Sequence, residues 1–244
     1  MSSPPLSAQR DLVRPLLDER SPADALAVYY ALYHDSARSA VFSHFDPARP
    51  DRSDGFLVRA QTGQDLFRPL ITFRARSSDA ALDLLRRGLY PGRPFYVTVP
   101  MDLAGYVNQC LTVAGPATYR IYRLDREAYD PIVNIFVTSE RGQDGWPRYE
   151  IRQADRVLAS AGVNWRSPRF AELYVYVDGT VRGRGYGKSV VNRAAGDLLQ
   201  AGVTPLYVVA EDNTASIRTA QAAGFVDTGL REYVCEAALV ANKQ

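Results

Sequence analysis

The sequence predicts an α/β (α+β) protein: a mixed sheet flanked by helices, built in two tandem halves. Three observations carry this. The chain has 244 residues, 46% of them hydrophobic and 23% charged, a globular composition in a length that suits one large or two small domains. Runs of β-branched and aromatic residues alternate with segments of helical period, an order that gives a mixed sheet covered by helices. That order also repeats. Residues 67–124 and 172–238 each read as strand–helix–strand–helix–strand, without clear residue identity between the copies. Domains are expected at 1–124 and 125–244.

Residues 1–7 read as a loose tail. Residues 11–17 read as a helix with Leu12, Val13, Leu16 and Leu17 on one face, although Pro15 sits inside it. Pro22 suits a helix start, and 25–33 continues helically with Leu26, Tyr29, Tyr30 and Tyr33 as its apolar side. Strands are expected at 41–45, 56–60 and 67–74, with Gly63 in the turn between the last two. Ser77-Ser78-Asp79 caps a helix to about Arg87, ended by Gly88. A strand at 95–99, a short helix at 103–110 and a strand at 119–124 complete the first copy.

In the second half, 130–137 reads as helical or irregular. Strands at 149–153 and 157–165 are joined by a turn at Ala154-Asp155, and 172–177 is a third strand. A glycine-rich turn leads to a helix at 188–200, ended by Gly202. A strand at 206–210, a helix at 215–223 closed by Gly224, and a strand at 231–238 follow.

Several function classes are disfavoured. Lys+Arg 29 against Asp+Glu 27 leaves a charge of +2, without the basic excess or stripe of a dedicated nucleic-acid binder. Cys110 and Cys235 cannot make a disulfide framework; one bridge is open to them, and two free thiols in a reducing compartment is the preferred reading. Residues 1–5 have neither the basic nor the apolar region of a secretory signal, and no run approaches the ~20 apolar residues of a membrane span. A cytoplasmic protein without nucleic-acid or membrane partners is expected. His34 and His44 are the only histidines and lie in the first half, so a metal site or a Ser-His-Asp arrangement finds little support.

The chemistry concentrates in residues 175–189, where a strand runs into Gly183, Gly185 and Gly187 and a helix leaves. Closely spaced glycines admit positive φ and remove side-chain bulk. Backbone N–H groups at a helix N-terminus then favour an anion, a phosphate or pyrophosphate above all. A tight turn that binds nothing is the plain alternative. Gly187-Lys188-Ser189 suggests a P-loop, but that motif needs glycine where Arg182 stands. A dinucleotide fingerprint started at Gly183 meets Lys188, and one started at Gly185 meets Val190. The pattern Arg/Gln-x-x-Gly-x-Gly/Ala is met by Arg182, Gly185 and Gly187. Asn213 follows the next strand, Ser216 stands three residues later, and Gly224-Phe225 begins eleven residues after Asn213.

Loop, Asn and Gly-Phe in this register resemble the GNAT acyltransferase superfamily over residues 149–238. The resemblance implies acetyl-CoA, or another acyl-CoA, as co-substrate. Its pantetheine arm would pair with the backbone of Val175 and Val177 in a splay between two parallel strands. Gly183, Arg184, Gly185, Tyr186, Gly187 and Lys188 would hold the pyrophosphate, with positive charge from Arg182 and Lys188. Asn213 would reach the pantetheine amide or the sulfur, or serve as a helix cap, beside Ser216. The implied activity is N-acyl transfer to a primary amine by direct attack in a ternary complex; a non-catalytic acyl-CoA sensor is the alternative. The small-molecule acceptor and the oligomeric state are not legible.

The resemblance also implies a tyrosine acid seven residues after the Asn, where this chain has Ala220. Tyr233 is the candidate replacement and Glu172 the candidate base, each against an ordinary structural role. The first-half turn Arg74-Ala75-Arg76-Ser77-Ser78-Asp79 has no glycine. That copy is expected to lack the cofactor and to wall the acceptor pocket, with Tyr29, Tyr30, Tyr33, Phe45 and Trp165 as pocket or core residues.

Overall fold

The computed structural model describes residues 5–46, 48, 52–63, 65, 67–142 and 145–239. The start of the expected tail, residues 1–4, lies outside the described residues. The chain divides into two compact units, Met1–Tyr119 with Arg231–Gln244, and Arg120–Leu230.

The first unit opens with α1 (Leu6–Val13), followed by a 3-10 turn over Arg14–Leu16. The expected helix over 11–17 thus starts earlier and loses its α form at Pro15, which has no N–H to continue the ladder. α2 (Ala25–Val28) passes into a π-turn over Tyr29–Tyr33. The wider π-turn rotates the buried side, so Ala27, Val28, Ala31 and Leu32 face inward while Tyr33 is exposed and donates to Glu19. Of the expected stripe, Tyr30 is buried, Leu26 and Tyr29 are half-buried, and Tyr33 alone is exposed.

Strands β1 (Ser39–Phe45), β2 (Ser53–Ala60), β3 (Leu70–Arg74) and β4 (Pro94–Pro100) follow, with α3 (Ser78–Gly88) between β3 and β4 and α4 (Ala104–Cys110) after β4. β3 begins later than the expected 67. The first three strands pair antiparallel and β3 with β4 parallel. On α3, Ala80, Ala81, Leu84 and Leu85 are buried, and Ala81, Leu84 and Leu85 join Leu57, Ile71, Phe73 and Phe95 in the core of this unit. Ser77 Oγ accepts from the Ala80 N–H at 3.2 Å and closes the α3 N-terminus.

The second unit contains the end of β5 (Thr112–Leu124), then β6 (Val137–Arg141), β7 (Pro147–Gln153), β8 (Arg156–Arg166), β9 (Phe170–Val177), α5 (Tyr186–Gln200), β10 (Thr204–Ala210) and α6 (Thr214–Ala222). Its strand order is β5-β10-β9-β8-β7-β6. β6 was not expected; its exposed Thr138, Ser139 and Glu140 carry no apolar alternation. The segment before it is irregular and held by Asn192, which accepts from the Ile132 N–H at 2.8 Å and donates to Asp130 O at 2.9 Å.

β11 (Phe225–Ala238) is longer than expected. Its residues 232–238 pair antiparallel with β4 from Pro100 back to Pro94. This ladder returns Arg231–Gln244 to the first unit, so the division differs from the expected one at residue 124. The repeat itself is present, as β3-α3-β4-α4-β5 and β9-α5-β10-α6-β11. Its final strands are exchanged: β5 lies beside β10 and β11 beside β4. The fold class is thus the expected mixed α/β arrangement.

Candidate active site

β9 and β10 pair over only three positions, Thr204↔Phe170, Pro205↔Ala171 and Leu206↔Glu172. Beyond that fork β9 keeps β8 on one edge, with Ala161↔Val175 and Ala159↔Val177, while the β10 ladder on its other edge has ended. A strand edge without a partner offers N–H and C=O groups to an extended guest.

The end of β9 is firmly set. Asp178 N–H donates to Leu158 O, and its carboxylate accepts from Thr180 N and Oγ1 and from Arg156. The Thr180 bonds, with Arg156 behind them, push the Asp178 pKa down to about 2. Gly183 and Gly185 then take φ +79° and +77°, a region that L side chains enter at a cost of roughly 1–2 kcal/mol. Gly185 is the N-cap of α5, and no side chain caps this helix. The first N–H groups of α5 therefore lack the partner that Ser77 gives α3. Free N–H groups and the helix dipole together make an anion seat.

A cavity of about 590 Å³ opens there, a size typical of small-molecule sites. Val175 and Val177 line one wall. Arg182, Gly183, Gly185, Tyr186, Gly187 and Lys188 line its end, and Asn213 and Ser216 the opposite wall. The structure thus gathers ten of the residues singled out from sequence. Arg184 is exposed and does not line the cavity. Gly187 is needed for steric reasons. A Cβ there would come within 2.9 Å of Val177 Cγ2 and 3.3 Å of Thr219 Cγ2, so its absence lets α5 approach β9 and α6.

Sequence reasoning missed Ala215, Arg218, Thr219 and Ala222, which line the cavity from α6. Their i, i+3, i+4, i+7 spacing is one helix face, and that was the available signal. Among the described residues, Arg182, Lys188 and Arg218 have no carboxylate partner, so the cavity carries net positive charge. Asn213 Oδ1 accepts from the Ser216 N–H at 3.1 Å and caps α6. Ser216 Oγ lies 2.7 Å from the Tyr207 hydroxyl.

Glu172 stands at the fork itself, as the last β9 residue paired with β10. Its carboxylate accepts from Asn164 Nδ2 and Trp165 Nε1, each at 2.7 Å. Asn164 is the extra residue where the β8–β9 register shifts between Val163 and Trp165, and this bulge places two donors beside one carboxylate. Burial raises the Glu172 pKa against the pull of both donors. Trp165, a pocket candidate from sequence, is thus a partner of Glu172.

Tyr233 lies elsewhere. It is buried in the first-unit core opposite Val99, and its hydroxyl donates to Asn108 Oδ1 at 2.7 Å. It does not line this cavity, because the 231–238 part of β11 belongs to the β4 ladder. Cys110 and Cys235 are both free thiols. Neither lines the cavity, and burial pushes the Cys235 pKa up to about 11. Among the described residues no metal-binding cluster occurs, and no helix is long and apolar enough to cross a membrane.

Residues 116–225 match the acetyltransferase (GNAT) family. No curated relative matches the chain. Among solved structures, a tandem GNAT protein from the clavulanic acid biosynthesis pathway is similar at TM-score 0.58 and 14% identity, covering 98% of this chain and 96% of its own. A Drosophila protein is similar at TM-score 0.65 and 14% identity, with 98% and 96% covered. A GCN5-related N-acetyltransferase from Sphaerobacter thermophilus is similar at TM-score 0.61 and 11% identity, with 97% and 94% covered. At these identities the structural likenesses establish the fold.

Proposed function

We propose that this chain, a GNAT-family protein by its residues 116–225 and by its fold, is an acyl-CoA-dependent N-acyltransferase acting on a primary amine. The observation that carries the reading is the uncapped N-terminus of α5 at the end of the β9–β10 fork. A diphosphate followed by an extended amide-bearing arm fits these features in order. The N–H groups of the first turn and the cations Arg182, Lys188 and Arg218 suit the diphosphate. The β9 edge at Val175 and Val177, past the end of the β10 ladder, suits the amides of the arm, and the fork at Glu172 is where its far end would point.

Bound acetyl-CoA supplies an acyl group activated as a thioester. The chain's own part is to hold the donor, exclude competing nucleophiles and take up the proton the amine gives away. Glu172 suits the last role, because burial holds its pKa above the ordinary carboxylate range and closer to the working pH of a general base. No cysteine lines the cavity, which favours direct attack by the amine over a thiol-bound intermediate.

The reading is tested by following thiol release from acetyl-CoA with a panel of primary amines, including amino acids, polyamines and peptide N-termini. Amine-dependent release well above hydrolysis is expected for at least one class. Ala220, at the place of the expected acid, favours a second reading in which the protein binds acyl-CoA without turnover. Tight binding with no amine-dependent release across the panel would establish that reading instead.

A further inference from the structure

The first unit holds a cavity of its own, of about 240 Å³, that the acyl-CoA reading does not use. Arg38, Arg59, Gln61, Pro69, Tyr90 and Arg93 line it, and no carboxylate does. We propose that it is a binding site for a phosphate group, carried by inorganic phosphate or by a small phosphomonoester. The proposal does not rest on the acyl-CoA reading.

Its place in the fold sets it apart from a second cofactor site. Pro69 and Arg93 directly precede β3 and β4, so the cavity sits at the N-terminal ends of this parallel pair. The glycine-free turn at 74–79 follows the C-terminal end of β3 instead. Backbone bonds hold the walls. Arg38 O accepts from the Gln61 N–H at 2.9 Å, and the Arg93 N–H donates to Tyr90 O at 3.2 Å across the turn between α3 and β4. Arg59 is fixed at its head. Its Nη1 donates to Gly88 O at 2.7 Å and its Nη2 to the Tyr90 hydroxyl at 3.1 Å. The same guanidinium lies 4.5 Å from the centre of the Tyr90 ring and 5.5 Å from that of Phe42.

The remaining donors point to the ligand. A guanidinium carries five N–H donors, of which Arg59 uses one on Gly88 and one on Tyr90. The Tyr90 hydroxyl accepts from Arg59 and keeps its own hydrogen to donate. Among the described residues Arg59 and Arg93 have no carboxylate partner. Arg38 has Asp35 at 4.0 Å, and that carboxylate also accepts from the Ala37 N–H at 2.9 Å. Guanidinium groups gathered around one cavity repel one another until an anion enters. A carboxylate's two oxygens are filled by a single arginine fork. A phosphate dianion brings three acceptor oxygens and close to two charges, enough for Arg38, Arg59 and Arg93 together. The volume limits what the phosphate carries. It is less than half that of the cavity at α5 and below the roughly 300 Å³ at which drug-sized sites begin. A short substituent fits and a nucleotide does not.

Calorimetric titrations with inorganic phosphate and with glycerol 3-phosphate, at constant ionic strength, test the site. The N-terminus of α5 is an anion seat in its own right, so Gly185→Glu, which puts a carboxylate there, is titrated beside the wild-type protein. Gly185→Glu is expected to keep one saturable site per chain. Adding Arg38→Gln and Arg93→Gln should weaken that site about tenfold or more, as charge-assisted hydrogen bonds are lost. Both side chains are exposed, so the variant should stay folded, which circular dichroism checks. Arg93→Lys keeps the charge without the fork and should fall between. Tighter binding of glycerol 3-phosphate identifies a phosphomonoester as the ligand; equal or tighter binding of inorganic phosphate identifies the free ion. No saturable site with either probe, or undiminished affinity after both arginines are replaced, would overturn the proposal and leave the acyl-CoA reading untouched.

Discussion

Gly185→Glu is expected to weaken CoA binding by at least about 10²-fold while the protein stays folded. Losing two hydrogen bonds to a charged group, at roughly 1.5–3 kcal/mol each, gives an effect of this size. A Cβ at Gly185 meets nothing within 4 Å, so no clash unseats the core. The substitution acts instead on conformation and charge. Gly185 sits at φ +77°, so any L side chain strains the turn that aims the first N–H groups of α5. The carboxylate adds a negative charge where the diphosphate would bind. Gly185→Ala separates the two causes, since it keeps the strain and omits the charge, and it should fall between wild type and the glutamate variant. Calorimetry with CoA on variants shown to be folded decides. Undiminished affinity in Gly185→Glu contradicts the assignment of the loop.

The second large effect is at Glu172. Glu172→Gln should retain CoA affinity, because Glu172 does not line the cavity wall that receives the ligand. Turnover should fall by roughly the 10²–10⁴-fold typical of losing general-base help. The substitution is well tolerated locally. Trp165 Nε1 can only donate, so the glutamine turns its oxygen to Trp165 and its amide to Asn164, which flips to accept. The wild-type pH–rate profile should show an acidic limb above the ordinary Glu pKa of about 4.3, because burial raises this carboxyl, and the variant should lose that limb. Stability follows the same linkage. With its folded pKa raised, Glu172 contributes stability that is full at low pH and is lost as pH rises through the folded pKa. Glu172→Gln should remove that part of the slope. A variant with unchanged turnover, assayed well below the amine's pKa, shows that Glu172 is not the base.

The cavity was largely legible because its residues are carried by local signals. Gly183, Gly185 and Gly187 announce a backbone turn, and Asn213 with Ser216 announces a helix start. The strand–helix alternation was legible in the same way, since α3 and α5 show apolar faces at helical spacing. Long-range pairing was not. Nothing local in residues 231–238 says that they pair with β4, so the sequence alone leaves Tyr233 open as a candidate acid and puts the boundary at 124. The Tyr207–Ser216 bond joins a strand to a helix whose spacing only the folded sheet defines. The Asn164 bulge, which gives Glu172 its two donors, is a register event between strands and leaves no mark in either strand alone. β6 stayed hidden because its side chains are polar and exposed, so its strand form comes from its ladder with β7.

The most direct test of the central claim is a crystal structure of the protein with CoA bound. One CoA per chain is expected. Its diphosphate should lie against the N–H groups at the start of α5, and its pantetheine arm along the β9 edge at Val175 and Val177, with the sulfur near the fork at Glu172 and Leu206. The first copy should stay empty, because Ser77 already caps α3 and its turn has no glycine. A CoA seated against residues 74–79, or one bound away from the α5 N-terminus, would contradict the account.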